Sequence, residues 1–312
     1  MEFNFARLVI TLRLETDIDD PLALFGLRSL FAEAFRRVSG CQGTHDLDYP
    51  CPYCRDFSQG MSIDPVAVRR YQKPPLPFAF YLPLLPQLPN RGATVEVALT
   101  LVGSAVHHAA VYLDALTLAL SRFGPAGRYA AMPLKAVSID YYGTRSLLWE
   151  QGEEMRDDHL VLLSMEGVQQ TCTLSSEAVT LLINTPLRLM KEGKPLRELT
   201  FSPLVRHLFR RISALAYYYC DYEMDEDFRW LSERSRDVRC TAADFHWQDI
   251  RGSFSGILGS GTFCGELSEY LPFLLLGQFV QCGKGAAYGF GTFRLEKTVD
   301  DLSSPNLWLN LQ

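Results

Sequence analysis

The sequence predicts an α+β chain of two tandem ferredoxin-like (RRM-like) domains, each with the element order β-α-β-β-α-β. Three observations carry this. The chain has 312 residues, which at roughly 150 residues per domain is enough for two cores. Stretches with period-two or helical apolar spacing follow in the order β-α-β-β-α-β up to about residue 165. The same order returns after about residue 176. The expected domains are 1–170, with a Cys-rich loop at 39–77, and 176–312, with a glycine-rich loop at 283–291.

Residues 7–14 (RLVITLRL) alternate apolar and polar, as a half-buried strand does. Asp20-Pro21 marks a helix start; Leu24, Leu27, Phe31, Ala34, Phe35 and Val38 then recur at helical spacing up to Gly40, where a helix stops. The irregular stretch 39–77 is too long for an ordinary connection, so it is either tethered by something other than regular structure or functional. Strands are expected at 78–84 and 94–102, a helix at about 104–122, and strands near 134–142, 145–149 and 159–164. In the second half, a β-rich run at 177–190 leads to Ser202-Pro203 and a helix at 203–220, with Leu204, Leu208, Ile212, Leu215 and Tyr219 on one face. Strands at about 238–247 and 252–258, a helix at 267–279 and a strand at 287–296 complete the order.

Composition excludes several classes. Apolar residues make up 47% and charged residues 21%, which rules out extended disorder and collagen-like chains. With 30 basic and 36 acidic residues the net charge is −6, so the chain does not coat nucleic acid through bulk charge, and any polyanion site is local. Glu2, Arg7 and Arg13 interrupt the apolar N-terminus, and no window reaches ~18 uninterrupted apolar residues. No signal peptide or membrane partner is expected, and a cytoplasmic location is. There most of the eight cysteines would be reduced.

Three local features stand out. Between Arg188 and Arg211 seven Lys or Arg stand against two Glu. This is either a polyanion-binding stripe or a solvated helix face balanced by the acidic segment 221–237. Ten of the 22 glycines fall between Gly252 and Gly291. In Gly283-Lys-Gly-Ala-Ala-Tyr-Gly-Phe-Gly291, four glycines in nine residues let backbone N–H groups converge on phosphate, with Lys284 adding charge. The alternative is a tight αβ turn that needs positive φ angles. The spacing is neither a Walker loop nor a dinucleotide loop, so no nucleotide cofactor is expected. Lastly, Cys41-x3-His45-x5-Cys51-x2-Cys54 supplies four soft or borderline ligands suited to a structural zinc, against the alternative of unrelated reduced thiols.

Gly252-Ser-Phe-Ser-Gly256-Ile-Leu-Gly, Tyr270-Leu-Pro-Phe-Leu-Leu-Leu-Gly277-Gln and the block 283–291 occur in that order. Together they resemble the C-terminal half of the CRISPR pre-crRNA processing endoribonucleases of the repeat-associated RAMP superfamily. Leu181-Leu-Ile-Asn-Thr-Pro186-Leu-Arg-Leu-Met-Lys191 and the Cys-rich loop followed by Pro77-Phe78 agree with it. The likeness covers most of 20–296 and is strongest after 250.

The resemblance implies an enzyme that binds a CRISPR repeat stem-loop and cleaves it on the 3′ side without a catalytic metal. The 2′-OH attacks the adjacent phosphate, leaving a 2′,3′-cyclic phosphate and a 5′-OH. A base takes the 2′-OH proton, an acid protonates the leaving oxygen, and a cation steadies the phosphorane; histidine suits both proton steps. His45 lies where some family members place the catalytic histidine, with Tyr49 nearby, and His246 is a second candidate. A His45 that closed a zinc site could not also shuttle protons. RNA contacts are expected from Gly283, Lys284, Gly285, Gly289, Gly291, Arg188, Lys191, Lys194, Arg206, Arg210, Arg211 and Arg251. The alternatives are a catalytically silent RNA-binding subunit of a CRISPR effector or acquisition complex, or an adaptor without RNA. Other CRISPR proteins are expected partners.

Overall fold

The computed structural model describes residues 2–43, 51–58, 60–61, 73–85, 87–124, 127–249 and 255–296. The first half runs β1 (Asn4–Leu14), a 3-10 turn (Ala23–Gly26), α1 (Leu27–Val38), α2 (Pro52–Phe57), β2 (Phe78–Tyr81) and β3 (Thr94–Val102). A 3-10 turn (Gly103–His108) then enters α3 (Ala109–Leu120), followed by β4 (Ala131–Ile139), β5 (Arg145–Glu150), β6 (Leu163–Ser164) and α4 (Met165–Gln170). The second half runs β7 (Ala178–Leu187), the hairpin β8 (Met190–Lys191) and β9 (Lys194–Pro195), α5 (Phe201–Tyr219) and α6 (Phe228–Arg234). It ends with β10 (Arg239–Gln248), β11 (Gly256–Cys264), α7 (Leu271–Val280) and β12 (Phe293–Glu296).

The first sheet has strand order β2-β3-β1-β4-β5, antiparallel throughout, with β6 extending the start of β1. The second has order β10-β11-β7-β12, also antiparallel. Both place the first strand between the third and fourth of a β-α-β-β-α-β unit, so the tandem ferredoxin-like class holds, with β5 as an added edge. Helices α1 and α3 cover one face of the first sheet, their contact built on aromatics: Phe31 meets Phe80 edge-on at 4.9 Å and Phe35 meets Tyr112 at 4.6 Å. Helix α5 buries the face carrying Leu204, Leu208, Ile212 and Leu215 in a second core with α7.

The two cores are interlocked. Phe3 and Phe5 of β1 belong to the second core, while Ala287 and Phe290, just before β12, belong to the first. This explains where local pattern misled. The period-two reading of β1 expected one wet face, yet the strand is buried on both faces from Phe5 to Ile10. Phe5 packs 4.9 Å from Phe279 of α7, and the Arg7 guanidinium lies 5.4 Å from the same ring and 5.9 Å from that of Tyr81. Burial lowers the Arg7 pKa to about 10. The last strand begins at Phe293 rather than 287, because the chain before it is occupied between the cores. The strand expected at 252–258 lies at Gly256–Cys264. Helix α4 was not foreseen; the Ser164 hydroxyl caps it by accepting from the Gly167 N–H at 3.1 Å. Among the described residues no helix is long and apolar enough to cross a membrane.

Candidate functional site

The segment 283–291 crosses from the second core into the first. Ala286, Ala287 and Phe290 are buried, the Phe290 ring lies 4.9 Å from Phe25, and the Tyr288 ring meets Phe78 edge-on at 5.6 Å. Close approach dictates the glycines. Gly291 has φ 66°, and a Cβ there would lie 1.9 Å from the Cys282 carbonyl oxygen; at Gly283, φ 84°, it would lie 2.8 Å from the Arg188 carbonyl oxygen. The Thr185 hydroxyl donates to the Gly289 carbonyl at 2.7 Å and accepts from the Thr292 N–H at 2.9 Å, tying the segment to β7.

Most of the N–H groups expected to cradle phosphate have partners inside the chain. The N–H groups of Lys284, Ala286, Tyr288, Gly289, Phe290 and Gly291 donate to carbonyls within the chain. The geometry is that of the turn with positive φ, enlarged into a wedge between the cores. Gly283, Gly285, Gly289 and Gly291 therefore serve packing, and Lys284 is the exposed side chain the wedge presents.

Lys284 sits beside the basic stripe because its N–H donates to the Arg188 carbonyl at 2.9 Å. From Arg188 the chain enters the β8–β9 hairpin, where Lys191 and Lys194 are exposed and paired across the strands. His207 fastens this hairpin to α5: its Nδ1–H donates to the Pro203 carbonyl at 2.7 Å, and Nε2 faces the Met190 N–H at 3.3 Å. Arg206 and Arg210 are exposed one turn apart on the same helix. Lys191, Lys194, Arg206, Arg210 and Lys284 are all exposed, and Arg188 joins the hairpin to Lys284 through its backbone carbonyl. Arg211 is the exception. It turns inward, donating from Nε to the Val280 carbonyl at 2.8 Å and from Nη2 to the Phe78 carbonyl at 3.4 Å, and burial lowers its pKa to about 10. It is a cation of the junction and is lost to the stripe.

On the other side of the wedge stands α2. Cys41, Cys51 and Cys54 bring their sulfurs within 4.8 Å of one another, Cys41 and Cys54 being 3.8 Å apart, and all eight cysteines are free of disulfides. Two residues on, Asp56 is fully buried and accepts from the His108 Nδ1–H at 2.9 Å and the Tyr112 hydroxyl at 3.0 Å. Burial, then the Asp56 charge, holds the Tyr112 phenol well above its ordinary range. Tyr288 is raised to about 12, first by burial, with Arg28 opposing and Tyr53 reinforcing the shift. Wedge, α1 and α2 therefore meet at Arg28, Tyr53 and Tyr288.

His45, Tyr49 and Arg251 lie outside the described residues. His246 is exposed on β10, an edge strand separated from β12 by β11 and β7. At ~4.8 Å per strand spacing that is roughly 14 Å of sheet between β10 and β12. Sequence reasoning passed over Arg28 and Tyr288, and did not pair His108, at the start of the helix expected at 104–122, with Asp56. Tyr288 was legible as the one polar-tipped aromatic inside the glycine run, whereas Asp56 and His108 are 52 residues apart and carried no local signal.

The family of CRISPR-associated endoribonuclease Cas6 matches residues 181–293, and a family described as an N-terminal domain matches residues 3–160. No curated protein matches in sequence. Among solved structures, a Cas6 product complex is similar with TM-score 0.59 and 17% identity, over 94% of this chain and 100% of that one. Thermus thermophilus Cas6 gives TM-score 0.54 and 16% identity, over 95% of this chain and 100% of that one. A partial Cas6-RT-Cas1–Cas2 complex gives TM-score 0.60 and 13% identity, over 96% of this chain and 47% of that one. The Cas6 family match thus falls on β7 through β12, 113 of the 312 residues, and the solved Cas6 structures share the tandem fold along the chain.

Proposed function

We propose that the chain binds CRISPR repeat RNA across the stripe formed by Arg188, Lys191, Lys194, Arg206, Arg210 and Lys284, and cleaves it beside the wedge. The observation that carries this reading is the hydrogen bond from Lys284 N–H to the Arg188 carbonyl, which joins the wedge to the stripe. A product complex among the similar Cas6 structures supports RNA processing, and the Cas6-RT-Cas1–Cas2 complex supports CRISPR proteins as further partners.

In the chemical step, the RNA 2′-OH gives its proton to His45 and attacks the adjacent phosphorus. The P–O5′ bond breaks, a proton passes to the leaving 5′ oxygen, and a 2′,3′-cyclic phosphate remains. Lys284 supplies positive charge beside the phosphorane. Tyr49 is the proposed acid. Tyr288, with its pKa raised to about 12, stays neutral through the physiological range and acts as a hydrogen-bond donor rather than a base. No metal enters this step.

Two variants test the assignment with labelled repeat RNA. Lys284→Ala is expected to weaken binding and lower the salt slope by about one unit, as for a lost phosphate contact; unchanged affinity and slope contradict the stripe. His45→Ala is expected to retain binding and slow cleavage by about 10²–10⁴-fold. A second reading, an RNA-binding subunit that does not cut, draws on three of the five described histidines: His207 holds a hairpin, His108 pairs with Asp56 and His246 lies on the far edge strand. Wild-type chain that binds the repeat and leaves it intact would establish it.

A further inference from the structure

We infer that Cys41, Cys51 and Cys54 hold a zinc ion that staples the end of α1 to α2. The centre stands independently of whether the chain cuts RNA. With Zn–S bonds of ~2.3 Å and tetrahedral angles, two ligating sulfurs lie ~3.8 Å apart. The Cys41 and Cys54 sulfurs are 3.8 Å apart, and that of Cys51 completes a group mutually within 4.8 Å. A disulfide needs ~2.05 Å between two sulfurs and leaves the third unused. Three thiolates select a soft or borderline cation over calcium or magnesium, which take oxygen ligands. These three thiolates alone are the inferred ligands, and His45 is left to the proton transfer proposed above.

The placement of the cysteines gives the ion its role. The Cys41 N–H donates to the Arg36 carbonyl at 3.1 Å, so its thiol projects from the end of α1. Cys51 is the residue that opens α2, its carbonyl accepting from the Arg55 N–H at 3.0 Å, and Cys54 lies in the first turn. A six-residue helix does not hold itself in water. One side of α2 is anchored by Phe57 against Phe35 at 4.9 Å and by Asp56 on His108 and Tyr112. The sulfurs lie at its opening end, next to Tyr53, which stacks on Phe57 at 5.3 Å. Each thiol releases its proton to solvent as the ion binds, so uptake of zinc acidifies an unbuffered solution. The ion fixes the helix that carries Tyr53 toward Tyr288.

Metal analysis of the full-length chain purified without added metal tests this. About one zinc per chain is expected, falling at least tenfold in Cys54→Ser and unchanged in Cys172→Ser and Cys240→Ser. A second measurement does not depend on the variants folding. Wild-type chain stripped with a thiol-directed mercurial, restored with reductant and given Co²⁺ is expected to show thiolate-to-cobalt charge-transfer absorption, and zinc then displaces it. Stripping alone is expected to lower Tm by several degrees, and zinc to restore it. A chain without zinc, a chain carrying iron instead, zinc retained in Cys54→Ser, or a cobalt form without the charge-transfer band each overturns the assignment.

Discussion

Gly291 condenses the argument about the glycine run into one position. Its φ of 66° and the carbonyl oxygen 1.9 Å from where a Cβ would sit leave no room for alanine. Gly291→Ala is therefore expected to destabilise the fold by about 2–3 kcal/mol, read as a shift in the urea midpoint with unchanged m-value. The glycine spacing was plain in the sequence, but its purpose was not, because phosphate cradles and left-handed turns both need residues without a Cβ. Only the partners of the N–H groups separate the two. The same holds for Arg7 and Arg211: both belong to charged patterns along the chain, and both are buried by contacts from the other half of the molecule.

Among the elements, α2 depends most on what surrounds it. Its anchoring carboxylate, Asp56, is buried and bonded to His108 and Tyr112, so Asp56→Ala removes both hydrogen bonds and leaves their partners inside. A loss of about 2–4 kcal/mol is expected, with the near-ultraviolet signal of the aromatic cluster changing more than the helical signal. Long periodic elements were legible: α5, β3 and β7 fall close to where apolar spacing puts them. Helix α2, the short α4 and the late start of β12 were not. They are set by side chains from distant segments, which periodicity does not register. The basic stripe was legible as composition, while its connection to Lys284 runs through a backbone hydrogen bond that composition cannot encode.

For the whole molecule, the wedge packs each half into the core of the other, which is expected to make the two one cooperative unit. Phe290 contacts Phe25 and joins the core of the opposite half, so Phe290→Ala is expected to cost about 3–5 kcal/mol. Both sheets are expected to unfold in a single transition, and two separated transitions would contradict the interlock. Alkaline pH loosens the same junction. The Tyr288 phenol and the Cys282 thiol are raised to about 12, chiefly by burial, from ordinary values of 10 and 9, and burial raises Tyr219 as well. The unfolded chain loses these protons first, so the stability they contribute is intact below about pH 9 and is lost as pH rises toward 12. Phenolate absorbance is expected to rise together with unfolding rather than before it. At this scale the proposed function has RNA crossing from the stripe to the wedge and being cut there. The decisive observation is the end chemistry of labelled repeat RNA incubated with purified wild-type chain in EDTA. A discrete product ending in a 2′,3′-cyclic phosphate, paired with a 5′-OH fragment, is expected; intact RNA, or cleavage that appears only when a divalent metal is added, would contradict the account.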